Sequence, residues 1–364
     1  MNRSSIIIAS LALGLGLASC GQYLDKYPDN RMELHSPSDA AKFLVSAYPE
    51  GHPAYLLEMY SDNTDEQDYT NWSANSPFQE QAYRWADITE IREQETPQQL
   101  WDAHYTAVTV CNEVLKHISE AKNKDEYSAQ VAEAKLCRAY AMFQLANVFC
   151  QAYAPETAAK DLGLPYPEEP EVHPGRVLYK RIEQDLTEGL AGLANAQYSQ
   201  PKYHFTAQAA HAFAARFYLY ARQYTKAIEH ADATLGSNPA TNLRDWAAWS
   251  KTGLSGNVQP NASVKANILL QAVATEWGGL SIPILRGSKY AHGALISTTE
   301  TLQTDGPWGA SGDVLNYTVV NNNGVSKYAI RKLPYTAKYV DRVAGIGIPY
   351  SAYTIFTTDE TLMV

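Results

Sequence analysis

The chain has 364 residues, of which 45% are hydrophobic and 19% charged, a composition typical of a globular protein with a sizeable core. Acidic residues outnumber Lys and Arg by 39 to 29, the net charge is −10, and no Lys/Arg cluster is long enough to follow a phosphate backbone. The composition therefore argues against nucleic acid as a partner. Tyrosine is abundant, with 25 residues beside 7 Trp and 8 Phe, and these aromatic rings suit surfaces that contact partly apolar, hydroxyl-rich ligands.

The N-terminus has the order of a signal peptide: a basic start at Arg3, an apolar stretch over 6–17, and small residues before Cys20. The apolar stretch of about 12 residues is shorter than the ~20 that a membrane-spanning helix needs. The sequence LASC, which ends at Cys20, resembles a bacterial lipobox, in which the cysteine carries the lipid. We predict a signal peptide over 1–19, lipidation of Cys20 and a polar tether over 20–35. The alternative is a plain secretory signal with a chance cysteine.

Three further cysteines, Cys111, Cys137 and Cys150, lie among apolar residues with helical periodicity. In such places a free thiol packs as a small hydrophobic group. An odd number cannot all pair within the chain, and the spacing differs from that of a zinc site. We expect buried structural thiols and no cofactor.

Helical periodicity and capping residues predict a series of helices after the tether. The first begins at a Ser-Pro pair and the second at a Thr-Pro pair, which are typical helix starts. Apolar residues then recur at three- and four-residue steps through each segment. The predicted helices span residues 36–47, 96–120, 128–150, 177–193, 206–221 and 224–235.

The last two predicted helices carry part of a tetratricopeptide signature. Ala215, Tyr218, Ala227, Ala231 and Pro239 fall at repeat positions 8, 11, 20, 24 and 32. Small residues let the paired helices approach, the aromatic fills the gap between them, and the proline ends the unit. The fold class that we predict is mainly α, with a tetratricopeptide-like helical repeat scaffold over residues 36–236.

The composition changes after residue 236 to Asn, Gly, Pro, Ser and Thr with scattered aromatics. We predict a loop-rich, ligand-binding segment over 237–356 with minor β-structure, because rigid scaffolds commonly present their binding residues on loops. Short strands are expected near residues 267–273, 280–285, 317–320 and 328–333, the last two joined by a hairpin turn.

The final residues 357–364 begin with a capping-box pattern, Thr-x-x-Glu, followed at once by apolar residues. They are interpreted as the first turn of a helix, with the expectation that the chain lacks further helices. The alternative is a short terminal turn that is complete in itself.

Five blocks of sequence together resemble the SusD/RagB family of outer-membrane lipoproteins. They are YLDKYPD (23–29), AAKFLVSAY (40–48), SDN (61–63), EAKLCRAY (133–140) and AARFYLY (214–220). The resemblance implies a lipoprotein on the cell surface that captures glycans and passes them to a SusC-like TonB-dependent porin in the outer membrane. Members of the family typically continue beyond the block at which this chain stops.

Candidate glycan contacts are aromatic residues in loops, where a ring can stack on a sugar and a polar neighbour can bind its hydroxyl groups. Trp85 and Trp101 lie in or near helical patterns and are assigned to the core. For each candidate the alternative is partial burial beneath the loops. The candidates are Tyr69, Asn71, Trp72, Trp277, Tyr290, Asp305 and Trp308.

Asp62, Asp65 and Glu66 belong to the densest acidic cluster, which could supply oxygen ligands to Ca²⁺. The Gly and Glu of an EF-hand loop are absent, so a solvated or capping acidic loop is the favoured interpretation. No hydrolase, metalloprotease or nucleotide-binding motif is present. We therefore expect a binding protein and not an enzyme. The alternatives are a tetratricopeptide lipoprotein that binds another protein and a surface glycosidase.

Overall fold

The computed structural model describes residues 34–66, 77–91, 95–166, 169–193, 196–245, 262–274, 289–292, 317–322, 325–330, 338–341 and 346–364. The predicted signal peptide, Cys20 and almost all of the predicted tether lie outside these residues. Nine α-helices occur within them: α1 Pro37–Phe43, α2 Ala54–Met59, α3 Pro77–Tyr83, α4 Pro97–Glu120, α5 Ser128–Phe149, α6 Gly175–Gly192, α7 Ala207–Tyr220, α8 Tyr224–Leu235 and α9 Thr358–Met363. None of the described helices is both long and apolar enough to cross a membrane.

All six predicted helices are present, and the predicted caps explain where several begin. The side chains of Ser36, Thr96 and Thr206 each accept a hydrogen bond from the backbone N–H three residues later. The side chain of Thr357 likewise accepts a hydrogen bond from the backbone N–H of Glu360 at 3.0 Å. The predicted helix start near the end of the chain is therefore confirmed. The short helices α2 and α3 were not predicted, and the first predicted helix changes to a 3₁₀ turn at Leu44–Ala47.

The scaffold is a layered array of helix pairs with α5 at its centre. Helices α4 and α6 both pack against α5, and α7 packs against α8. Most of α5 is buried, because neighbours cover it on several sides. Helix α6 comes so close that a Cβ added at Gly189 would lie 2.6 Å from Cγ of Leu136. Only glycine permits this approach of α6 to α5.

The repeat signature is matched by the packing of α7 on α8. Ala215, Tyr218 and Ala227 are all buried, and the helices that carry them pack against each other. The small side chains permit the close approach, as the repeat pattern predicts. The mainly helical, repeat-like fold class is confirmed.

A buried ion pair joins the central helices. Arg138 of α5 donates to both carboxylate oxygens of Asp185 in α6, at 2.7 and 2.8 Å. Its third contact is a 2.7 Å hydrogen bond to the side-chain oxygen of Asn112 in α4. Tyr166 donates its hydroxyl to Asp185 at 2.5 Å. One guanidinium therefore links three helices, and its charge is balanced inside the core.

The strands form small antiparallel sheets on this scaffold. They are β1 Thr64–Glu66, β2 Leu162–Tyr166, β3 Glu169–Pro174, β4 Asn267–Ala274, β5 Tyr290–His292, β6 Tyr317–Asn322, β7 Val325–Ile330, β8 Lys338–Asp341 and β9 Ile346–Thr357. The pairings are β1 with β5, β2 with β3 and β6 with β7, while β4, β9 and β8 form a three-stranded sheet in that order.

Two predictions for the segment 237–356 can be compared with these strands. The predicted strands near 267–273, 317–320 and 328–333 and the hairpin between the last two are confirmed by β4, β6 and β7, whereas 280–285 lies outside the described residues. The sequence does not predict β9, a strand of 12 residues that is the central member of its sheet. Its Gly and Pro residues interrupt the alternating pattern by which such a strand is predicted.

Arg216 of α7 connects β9 and α9 to the scaffold. Its guanidinium donates to both carboxylate oxygens of Glu360, at 2.5 and 2.6 Å, and to the carbonyl oxygen of Ile355 at 2.6 Å. It also lies 4.3 Å from the ring centroid of Phe356. Phe356 in turn packs against Tyr140 of the central helix. The end of the described chain is thus fixed to the core by charge and by aromatic contact.

Substituting one partner of the central ion pair should destabilise the fold strongly. Asp185→Asn leaves the buried guanidinium of Arg138 without a counter-charge, which costs about 3–5 kcal/mol. Urea denaturation should show a loss of this size in the free energy of unfolding. Glu156→Ala, which breaks an exposed pair with Arg222, is the control and should cost below about 1 kcal/mol. Equal losses in the two variants would contradict the assignment.

Candidate functional site

Most of the predicted ligand contacts lie outside the described residues, and their role stays a prediction. These residues are Tyr69, Asn71, Trp72, Trp277, Asp305 and Trp308. The first three belong to the segment 67–76, which in the chain joins the end of β1 to the start of α3.

Tyr290 was predicted to be an exposed loop aromatic, and that expectation is wrong. It lies in β5, opposite Glu66 of β1, and its side chain is 0% exposed. Its ring packs 4.7 Å from that of Tyr83 in a cluster with Tyr55 and Phe78. The pairing of β5 with β1 directs this ring into the protein interior. A strand of three residues is too short to be predicted from an alternating sequence pattern.

The acidic cluster takes part in ion pairs. Glu66 pairs with Lys289 at 3.1 Å and with Arg84 at 3.5 Å, so two cations already share its carboxylate. Asp65 accepts a hydrogen bond from the backbone N–H of Glu66 at 2.8 Å. In the described part of the chain, no three metal-binding side chains converge. The described contacts of Asp65 and Glu66 favour the capping and ion-pairing interpretation over the calcium alternative with Asp62.

Trp85 was assigned to the core, but the structure places it on the surface. It is 75% exposed, and its ring contacts that of Tyr60 edge-on, with centroids 5.1 Å apart and planes at 65°. The error has a simple cause. Phe78, Ala82 and Trp85 continue a helical spacing, but the helix ends at Tyr83, so the third position no longer shares the buried face.

The backbone at Trp85 is held in a conformation that favours glycine. Its φ is +54°, and it follows α3 where a left-handed residue ends many helices. Its N–H donates to the carbonyl of Ala82 at 3.0 Å, and that of Ala86 donates to the carbonyl of Gln81 at 2.8 Å. These bonds form a Schellman motif. A large residue in the left-handed region costs roughly 1–2 kcal/mol, and such strain often marks a functional position.

A tight turn after α2 holds Tyr60 in place. The hydroxyls of Ser61 and Thr64 both donate to the carbonyl of Glu58, at 2.8 and 2.7 Å, and Asn63 donates to the Glu58 carboxylate at 3.1 Å. Partial burial raises the pKa of the Tyr60 hydroxyl further above physiological pH, so this group is neutral and able to donate a hydrogen bond.

The polar side chains around α3 are also ordered by mutual contacts. Arg84 donates to Glu80 at 3.0 Å, and Gln81 exchanges two hydrogen bonds with Thr89. The result is an exposed indole that contacts a phenol, in a segment whose polar side chains form hydrogen bonds with one another. This arrangement suits a ligand with one apolar face and a rim of hydroxyl groups. We name the pair Tyr60 and Trp85 the aromatic platform.

Comparison with known proteins identifies the scaffold that carries this platform. Residues 22–219, more than half of the chain, match a family model described as SusD-like, starch-binding and associating with the outer membrane. The chain belongs to the SusD-like family. The resemblance inferred from the five sequence blocks is confirmed, and the platform lies inside the matched region. No curated protein matches the chain significantly.

Solved SusD-like structures share the fold. A SusD superfamily protein from Bacteroides vulgatus superposes with a TM-score of 0.64 at 16% identity, over 89% of this chain and 72% of that one. A SusD-like carbohydrate-binding protein from the same species has a TM-score of 0.64 at 14% identity, over 90% and 70%. A laminarin-binding SusD-like protein has a TM-score of 0.55 at 16% identity, over 89% and 78%.

Two of the family blocks meet at a buried carboxylate in this SusD-like chain. Tyr48, from the block 40–48, donates its hydroxyl to Glu133 at 2.7 Å and accepts a bond from the backbone N–H of Phe205 at 2.7 Å. His204 Nδ1 lies 2.7 Å from the same carboxylate oxygen. Burial raises the pKa of the Tyr48 hydroxyl, which keeps it a donor. These block residues hold the scaffold together.

A pair of substitutions tests the backbone strain at Trp85. Trp85→Gly and Trp85→Ala both remove the indole, but only glycine adopts the left-handed conformation without cost. We expect the glycine variant to be more stable than the alanine variant by about 1 kcal/mol. Chemical denaturation of the two variants measures this difference. An alanine variant of equal or greater stability would show that the position is unstrained.

Proposed function

We propose that this SusD-like chain is a cell-surface glycan-binding lipoprotein that captures oligosaccharides or polysaccharides and delivers them to a SusC-like TonB-dependent outer-membrane transporter. The observation that carries the proposal is the exposed aromatic platform on a scaffold of a family described as starch-binding. Two SusD-like proteins with this fold are named for carbohydrate or laminarin binding, which supports the same class of ligand.

The platform suits capture because stacking needs only a flat apolar face. A sugar ring can lie on the indole of Trp85 while its hydroxyl groups form hydrogen bonds at the edge. Buried area then supplies affinity and the polar groups supply orientation. Since Tyr60 and the turn beneath it are already ordered, little conformational entropy is lost on binding.

Glycan binding should depend on Trp85. With starch and laminarin among a panel of glycans, we expect calorimetry to show binding that Trp85→Ala weakens by about tenfold, equivalent to ~1.4 kcal/mol. Ile91→Ala is the matched control, because Ile91 is also an exposed apolar residue, 58% exposed, but offers no ring.

Three outcomes are informative for this experiment. Unchanged affinity in Trp85→Ala together with a loss in Trp72→Ala, Trp277→Ala or Trp308→Ala would move the site to the predicted loop residues. Binding accompanied by release of reducing ends would favour the glycosidase alternative. Failure to bind any glycan would contradict the proposed ligand class.

The membrane anchor is the second part of the proposal. The lipobox ending at Cys20 and the family description, which includes association with the outer membrane, both support it. Cys20→Ser should abolish incorporation of labelled palmitate and release the protein from the membrane fraction. Membrane attachment that survives this substitution would exclude Cys20 as the anchor.

A role in protein binding is the alternative that one surface feature favours. Tyr224 and Ile228, one turn apart on α8, are both more than half exposed. Adjacent exposed apolar residues on a repeat helix are common in protein contacts. Purification of the lipoprotein from outer membranes distinguishes the two roles: a co-purified porin with glycan binding supports delivery, whereas a stable protein complex without glycan binding supports the alternative.

A further inference from the structure

A pair of histidines lies between α7 and α8, and neither belongs to the aromatic platform. The Nδ1 atoms of His211 and His230 are 2.9 Å apart, and their ring centroids are separated by 5.1 Å. One imidazole therefore donates its Nδ1–H to the Nδ1 of the other. Both side chains are partly exposed.

The surrounding residues hold the two helices and the His230 ring in place. Tyr218 stacks on His230 with the planes at 9° and the centroids 5.3 Å apart, and Lys226 lies 4.7 Å from the Tyr218 centroid. One turn away, Gln208 donates to the carbonyl of Thr234 at 3.1 Å, which joins the same helices a second time. The spacing of the pair is thus set by its framework, as a preorganised ligand site requires.

The distance between the two nitrogens is close to the distance between two ligands of one metal ion. Imidazole nitrogens bind metal ions at roughly 2.0–2.1 Å. Two such nitrogens are then about 2.9 Å apart at a right angle and about 3.4 Å apart at a tetrahedral angle. The observed 2.9 Å is set by the hydrogen bond between the rings, and a shift of at most about 0.5 Å brings the nitrogens to either spacing. Paired imidazole ligands suit Cu²⁺ and Ni²⁺.

We propose that His211 and His230 form a two-nitrogen chelate for a divalent transition-metal ion, with Cu²⁺ preferred, that links α7 to α8. Cu²⁺ also forms the strongest complexes in the divalent series. When both Nδ1 atoms become ligands, the proton that one of them carried moves to the Nε2 of that ring, and no electron is transferred. No third His, Cys, Asp or Glu completes the pair within the described residues, so water or a solute fills the other positions.

The site does not depend on the proposed glycan function, and a titration with Cu²⁺ tests it. The chain is purified without a polyhistidine tag, with Cys150→Ser introduced to remove its one partly exposed described thiol. Calorimetry should detect one site, and electron paramagnetic resonance should show two nitrogen ligands. His211→Ala and His230→Ala should each weaken Cu²⁺ binding by at least about tenfold. Cu²⁺ should raise the Tm of the parent but not of the variants.

His117→Ala is the matched control, because it removes an exposed histidine of α4 that lies outside the pair. Its Cu²⁺ affinity should equal that of the parent. His211→Gln and His230→Gln, checked by circular dichroism, separate loss of a ligand from loss of fold. Parental affinity in any correctly folded His211 or His230 variant would overturn the proposal. Tighter binding of Zn²⁺ than of Cu²⁺ would overturn the metal preference.

Discussion

The fold depends on the balance of charge around Arg138. A guanidinium in the middle of the central helix is costly to bury, and it is tolerated because Asp185, Asn112 and Tyr166 complete its surroundings. These partners come from separate elements, so the pair also sets how the helices lie relative to each other. A hydrophobic replacement could pack as well, but it would not select one register. We attribute the specificity of the array to this polar cluster.

Two more polar centres attach further described elements to that array. At one side of α5, Glu133 accepts a hydrogen bond from Tyr48 and lies within hydrogen-bonding distance of His204. Arg216 pairs with Glu360 and donates to the carbonyl oxygen of Ile355 in β9. Between these points, buried aromatic rings pack against one another, among them Tyr140, Phe205 and Phe356. Tyr60 of the aromatic platform packs against a smaller hydrophobic cluster formed by α2, α3, β5 and Leu100 of α4. Because this cluster is separate from the large hydrophobic core, substitutions near the platform can be accommodated without repacking that core.

The sequence predicts the helical half of this structure well, because its helices have apolar periodicity and recognisable caps. Thr96 and Thr357 illustrate this, since in each case one side chain identifies the first turn. The site was harder to predict. Tyr290 is buried by a strand pairing over more than two hundred residues, and Trp85 is exposed because its helix stops two residues earlier. The burial of Tyr290 and the exposure of Trp85 both depend on where neighbouring elements begin and end. Hydrophobic periodicity does not determine these boundaries.

The contact between Arg216 and Glu360 has a consequence for the order in which the chain can fold. The two residues are separated by 144 positions, so during synthesis α7 exists long before its carboxylate partner emerges. The helices before residue 236 can pack through local contacts in that interval. Arg216 must meanwhile remain hydrated, and the surface that later receives Phe356 stays open. Closure of this surface by the last residues of the described chain is therefore a late step, and it brings together the two ends of the segment between α8 and β9.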